Sequence, residues 1–297
     1  RLEAGAFTNI ARDHLDYHKD EEDYFLAKSR LFTELLPAGK TAVINADDER
    51  FHALKVICEK RGIRVMDFGR KAHDFRIEDL VPHSAGQEAA LTVFGKPYTV
   101  DIPLVGAFQV MNILAALGLS HAIGADLEEA LSVITNFKGV PGRLEHVVTL
   151  ANGASVYVDY AHTPMALANI LQTLRPHTHT KLHVVFGCGG DRDPGKRPEM
   201  GKAAAKLADM VIVTDDNPRS EDPALIRSAV MAGCPQAKEV AGRREAIYAA
   251  LQALDTSDVL VIAGKGHEKT QTIGTSVLPF DDVEVAKQAA KELKLAA

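Results

Sequence analysis

The chain has no tryptophan and only three cysteines in 297 residues. Cys58, Cys188 and Cys234 are odd in number and lack metal-type spacing, so they read as free thiols of a reducing compartment, not as a disulfide framework. Also missing is any apolar run near the ~20 residues of a membrane span, or a signal-like apolar stretch, so a cytoplasmic protein with no membrane association is expected. Basic charge is not in excess: the net charge of -6 argues against a nucleic-acid partner, because phosphate affinity needs a Lys/Arg surplus. Two phosphate-binding strings are absent as well. No GxxxxGK[ST] occurs anywhere, and no G-x-G-x-x-G follows a strand and opens a helix, which removes the sequence support for a dinucleotide-dependent dehydrogenase.

What is present is the composition of a globular protein, 46% hydrophobic and 25% charged. At roughly 100 to 200 residues per domain, the length fits two domains. The first half opens with a strand-like AGAFTNI (4–10), the polar stretch ARDHLDYHKDE, and a helix over 21–36 that Pro37 and Gly39 stop. A strand at TAVIN, a helix over 48–60 and a strand at IRVMDFG follow, then short alternating stretches over 76–105 that suggest β-hairpins. Helical patterns return at 107–123 and 126–136. Gly and Pro concentrate in GVPGRLE (139–145), which places a domain boundary there and divides the chain into 1–142 and 143–297.

The second half alternates regularly. Strands at SVYVDY, LHVVFG, MVIVTD, AKEVA and VLVIAG are separated by helices over 164–175, 198–207, 223–232 and 243–254, with a last helix over 282–295. This is an α/β pattern of βαβ units and a mostly parallel sheet. Ligands of such sheets bind beyond the carboxyl ends of the strands, where every polar cluster of this half falls: DYAHTP, GCGGDRDPGKR, DDNPR and GKGHE. Four clusters on one edge make a cleft.

Each cluster has a plain reading and a chemical one. VIVTDDNPR (211–219) is either a strand running into ordinary Asp-Asn-Pro turn chemistry or a strand ending in a binding loop. GCGGDRDPGKR (187–197) is either a flexible glycine loop or an anion site, with backbone N–H groups beside Arg192, Lys196 and Arg197. In GKGHE (264–268), Lys265 and His267 fit surface residues; Glu268 facing the arginines would instead give a pocket of both charge signs, suited to a zwitterionic amino acid. Asp159 either caps the helix that Thr163 and Pro164 open or accepts ribose hydroxyls, with His162 beside it. DHLDYH (13–18) carries metal-ligand residue types without zinc-diagnostic spacing. Lys28 sits in FLAKSRLF, where a semi-buried lysine must snorkel, pair or be modified.

In their order, TNIARDHLDYH, Lys28, GAFQVMNILAA, GRLE, DYAHTP, FGCGGDRDPGKRPEMG, DDNPR and AGKGHE resemble the Mur ligases over nearly the whole chain. The resemblance implies the C-terminal part of a central P-loop-type ATPase domain, with a mixed sheet and without its P-loop, followed by a Rossmann-like amino-acid-binding domain. It implies an ATP-dependent peptide synthase of peptidoglycan synthesis, expected as a monomer, which phosphorylates an acceptor carboxylate to an acyl phosphate that an amine then attacks. Mg2+ would offset the phosphate charges. By position, His14 corresponds to a Mg2+ ligand and Lys28 to a carbamylated lysine supporting that metal. Asn112 corresponds to the asparagine near adenine, Arg143 to an arginine at the nucleotide, and Asp159 and His162 to the nucleotide site. The amino-acid site falls on Arg192, Asn217, Arg219, Gly264 and Glu268. DNPR implies meso-diaminopimelate, not lysine, as the amino acid joined to a UDP-N-acetylmuramoyl dipeptide, because a desolvated arginine without a second carboxylate is costly. Gln109 stands where the family pattern has another asparagine. The family's uridine-nucleotide domain and P-loop would precede Arg1, so this chain alone is expected not to turn over ATP; a stand-alone amino-acid-binding module is the alternative.

Overall fold

The computed structural model describes residues 2–10 and 19–295. It divides into two compact units, the first formed by 1–81, 88–102 and 106–137, the second by 82–87, 103–105 and 138–297.

The first unit holds a six-stranded sheet in chain order: β1 (Ala4–Phe7), β2 (Thr41–Asn45), β3 (Arg64–Gly69), β4 (Phe75–His83), β5 (Gly86–Val93) and β6 (Lys96–Ile102). The first four strands pair in parallel. Links of two residues, 84–85 and 94–95, leave only hairpin turns between β4, β5 and β6. All five residues of β2 are buried, with the apolar Ala42, Val43 and Ile44 at its centre, as in a strand covered on both faces. Helix α1 (Glu21–Arg30) is capped by Asp20, whose Oδ1 accepts the Asp23 amide at 2.8 Å, and it continues as a π-helical turn at Leu31–Leu35. Helices α2 (Phe51–Lys60) and α3 (Ala107–Ala122) pack against β2 and β3, and α4 (Leu127–Ser132) follows. A Cβ at Gly118 of α3 would lie 2.6 Å from Val43 Cγ1, so the glycine sets how closely that helix approaches the sheet.

The second unit is doubly wound. Its sheet comprises β7 (Glu145–Thr149), β8 (Ser155–Asp159), β9 (Leu182–Phe186), β10 (Met210–Val213), β11 (Lys238–Glu239) and β12 (Val259–Ala263), in the order β11-β10-β9-β12-β8-β7. All pairs are parallel except β7 with β8, so the edge strand β7 is an addition to the expected sheet. Helices α5 (Pro164–Leu174), α6 (Lys196–Leu207) and α7 (Pro223–Met231) supply one apolar layer, with Leu171, Met200 and Val230 in its core. Helices α8 (Arg243–Gln252) and α9 (Asp282–Glu292) supply the other, with Ile247, Leu251 and Ala286. Each such buried Leu, Ile or Val contributes about 1.5 to 3 kcal/mol relative to an exposed one. The winding reverses between β9 and β12, the position in such sheets where the strand ends open into a crevice. A separate hairpin, β13 (Thr270–Ile273) and β14 (Ser276–Pro279), leaves the sheet after β12.

Candidate amino-acid site at the strand ends of the second unit

The loops after β8, β9, β10 and β12 converge because glycine lets them. A Cβ at Gly190 would sit 1.9 Å from the Pro218 carbonyl, and the Gly190 amide donates to Asn217 O at 2.9 Å, so the GCGG loop lies directly on DDNPR. Gly264 has φ +119°, and a Cβ there would meet Asp216 Oδ2 at 2.8 Å.

At the centre lie Asn217, Lys265 and Glu268. Asn217 is buried; its Nδ2 donates to Glu268 Oε2 (3.0 Å), and its Oδ1 accepts from Lys265 Nζ (3.1 Å) and the Thr272 amide (3.0 Å). Lys265 Nζ also donates to Glu268 Oε2 (3.2 Å). Lys265 is fully buried, which corrects the expectation of a surface lysine; His267 is exposed. Arg219 holds φ +53°, unusual for a side chain with a Cβ, and the hairpin clamps it there: its amide donates to Thr272 O (3.1 Å) and its carbonyl accepts from Gly274 N (2.7 Å). Its guanidinium donates through Nη1 to Gly190 O (2.8 Å) and to Asn217 O (3.5 Å), which leaves Nε and Nη2 as the donors available to a ligand. Arg192 is exposed nearby, with its Cγ 3.8 Å from where a Gly189 Cβ would stand.

Beneath these loops is a frame of buried ion pairs. Arg243 is fully buried and grips Asp282 with Nε and Nη2, both at 2.7 Å, while Nη2 also donates to Ala263 O (2.9 Å). Its Nη1 lies 3.9 Å from Asp216 Oδ2, a buried oxygen that no hydrogen bond satisfies. Arg227 bonds Asp215 and, at 2.8 Å, Glu239. Arg197, one of the cations of the anion-site reading, is instead buried against Glu221 at 2.8 Å, and Lys196 Nζ donates to His162 O at 2.9 Å. Arg227, Arg243 and Asp216 were not singled out from sequence. One signal was available for Arg243: it occupies the first turn of its helix, where a cation opposes the helix dipole and therefore needs a specific partner.

A second cluster surrounds the end of β8. Asp159 is buried, its carboxylate accepting the amides of Leu144 (2.8 Å) and Ala161 (2.7 Å) and its carbonyl accepting Gly264 N (3.0 Å). Burial pushes its carboxyl above the ordinary value, and the two amides and Arg143 only partly oppose this. Asp159 does not cap α5; Thr163 does, accepting the Ala166 amide. Arg143 is exposed with its guanidinium 4.9 Å above the Tyr160 ring, and Tyr160 also meets His162 (4.6 Å) and His267 (5.3 Å), giving one aromatic and cationic surface.

In the first unit, Asn112 is exposed and bonds Gln109 Oε1 at 3.4 Å. Lys28 is exposed too, which corrects the semi-buried expectation: the buried side of α1 runs through Phe25 and Ser29 to Phe32, and Lys28 Nζ lies 4.9 Å from the Tyr24 ring centre. His14 lies outside the described residues. Among the described residues no group of three His, Cys, Asp or Glu is placed to hold a metal ion. No described helix is long and apolar enough to cross a membrane.

Two family models match the chain, the Mur ligase middle domain over residues 1–120 and the Mur ligase glutamate ligase domain over 142–266. The UDP-N-acetylmuramoyl-L-alanyl-D-glutamate--2,6-diaminopimelate ligase of Zymomonas mobilis subsp. mobilis is 51% identical over 290 residues, covering 96% of this chain and 60% of that protein. The ligase of the same name from Caulobacter vibrioides is 48% identical over 289 residues, with 97% and 60% covered. A solved structure of a ligase of that name superposes with a TM-score of 0.81 at 37% identity, over 99% of this chain and 61% of that one. UDP-N-acetylmuramate-alanine ligase from Thermotoga maritima shares the fold, with a TM-score of 0.61 at 22% identity over 98% of this chain and 60% of that one. The chain thus spans about 60% of the length of the curated relatives it matches.

Proposed function

The chain belongs to the Mur ligase family, and from that premise we propose that it supplies the amino-acid-binding part of an ATP-dependent ligase that joins meso-diaminopimelate to UDP-N-acetylmuramoyl-L-alanyl-D-glutamate. The observation that carries the reading is the convergence of Asn217, Arg219 and Glu268, with Gly264 and the exposed Arg192, on one strand edge that presents both signs of charge. A zwitterion with a second carboxylate matches that distribution. Arg219, with free donors and a backbone fixed by the hairpin, receives the far carboxylate; Arg192 receives the carboxylate beside the reacting amine; Glu268 accepts an ammonium group. Lysine would leave the Nε and Nη2 donors of the half-buried Arg219 without a carboxylate, so the site rejects it by what is missing.

The reacting amine, held by its carboxylate and its distal end, is oriented toward an acyl phosphate made on the acceptor carboxyl, and that orientation is this unit's contribution to rate. Asp159, Arg143, Tyr160 and His162 form the nucleotide-facing surface: Asp159 with lone pairs free for ribose hydroxyls, Tyr160 and Arg143 as a flat platform. Asn112, in the first unit, is the proposed adenine contact. Mg2+ would offset phosphate charge when bound, with His14 and a carbamylated Lys28 as its proposed supports. With no GxxxxGK[ST] string, this chain alone binds amino acid without ATP turnover. The test is ligation by the protein extended to the full length of its relatives, with meso-diaminopimelate and with lysine. A strong preference for diaminopimelate is expected, and a preference for lysine would overturn the assignment.

A further inference from the structure

Lys265 is fully buried, yet its ammonium touches two of the residues assigned above to the amino acid. The chain is built to turn it inward: Gly264 (φ +119°) and Gly266 (φ +54°) flank it in backbone conformations that side chains with a Cβ rarely adopt. A buried ammonium is costly, and its cost here brings a specific geometric result.

An ammonium can only donate, so Asn217 must present its oxygen to Lys265 and to the Thr272 amide. The carboxamide nitrogen is thereby forced toward Glu268 Oε2, on which Lys265 Nζ also converges. Two donors fix one carboxylate oxygen and leave Oε1 for another donor. The Glu268 side chain retains 35% of its exposure, while that of Lys265 has none. We propose that Lys265 is a positioning residue for amino-acid recognition, locking the Asn217 carboxamide and holding Glu268 so that Oε1 faces the ammonium group of the incoming amino acid. This rests on the function proposed above.

The test is calorimetric titration of this chain with meso-diaminopimelate, in wild type, Lys265→Met, Glu268→Gln and the double variant. Lys265→Met is expected to weaken binding roughly 30-fold, the range of a lost charged hydrogen-bond network. In the Glu268→Gln background the same change should cost only about threefold, because a residue that acts through Glu268 is not additive with it. Absence of binding by the wild-type chain would overturn the function itself. Wild-type binding that Lys265→Met leaves within about twofold, or a full cost persisting in the Glu268→Gln background, would overturn the role of Lys265 alone. Should Lys265→Met fail to fold, the wild-type chain labelled with 15N-lysine gives the answer: the Lys265 Nζ resonance must shift on saturation with meso-diaminopimelate, and an unmoved resonance contradicts the proposal.

Discussion

The two edges of the second unit's sheet both bury carboxylates and finish them differently. Where β12 begins, Asp258 is fully buried and both oxygens are used: Oδ1 accepts from Thr180 Oγ1 (2.6 Å) and Lys181 N (2.9 Å), and Oδ2 meets Asp255 N and His183 Nε2, each at 2.9 Å. Burial alone would raise its carboxyl, but bonds from Thr180, Asp255 and Lys181 outweigh burial and hold it below the ordinary value. Where the strands end, Asp159 has two amide donors and burial prevails, while Asp216 has the Asn217 amide on one oxygen and, on the other, no hydrogen bond but only Arg243 Nη1 at 3.9 Å. A complete donor set makes a clasp for the fold, and an incomplete one marks an edge that a ligand can complete.

That contrast can be broken most forcefully at Arg243, which belongs to the frame under the open edge. Arg243→Met leaves Asp282 buried and unpaired and should cost about 3 to 5 kcal/mol, read from urea denaturation midpoints. At the closed edge, Asp258→Asn should cost about 2 kcal/mol in the same measurement and leave meso-diaminopimelate binding unchanged. At the open edge, Arg219→Leu should reverse that pattern. Folding stability should move by less than about 1 kcal/mol, while binding weakens roughly tenfold and the preference over lysine disappears. A loss of stability without loss of discrimination would return Arg219 to the turn.

The smallest effect lies in pH. Asp258, lowered in the folded state, contributes stability that is present above the unfolded carboxyl value and is lost as pH falls through its folded value. Asp159, raised in the folded state, contributes in the opposite sense: its share is present below the unfolded value and is lost as pH rises through the raised one. Denaturation midpoints between about pH 3 and 6 should therefore show Asp258→Asn flattening the acid-side loss and Asp159→Asn steepening it.

Much of this was legible in the sequence because parallel strands covered on both faces appear as predominantly apolar runs. SVYVD, LHVVF and VLVIA are strands buried at every residue, and the polar clusters follow them directly. Asn217, Arg219 and Glu268 do come together, as their places after such strands require. What stayed hidden depended on partners far along the chain. Lys265 is buried only because Asn217, 48 residues away, offers it an oxygen, and Arg243 only because Asp282, 39 residues on, closes around it. The hairpin Thr270–Pro279 was not foreseen either, since its strands are largely exposed and carry no apolar alternation, yet it holds the backbone of Arg219. Lys28 misled in the other direction. Apolar neighbours in sequence suggested burial, but the helix turns only Phe25 and Ser29 inward and leaves Leu26, Ala27 and Lys28 on its exposed side.

On the proposed function, the carboxyl-end edge of this sheet binds the amino acid and the opposite edge does not. Titrating the 15N-labelled chain with meso-diaminopimelate while following backbone amide resonances tests it directly. Shifts are predicted at 187–192, 215–219 and 264–268, with 180–183 and 255–258 unmoved. Shifts centred on Asp258 and His183, or none at the strand ends, would contradict it.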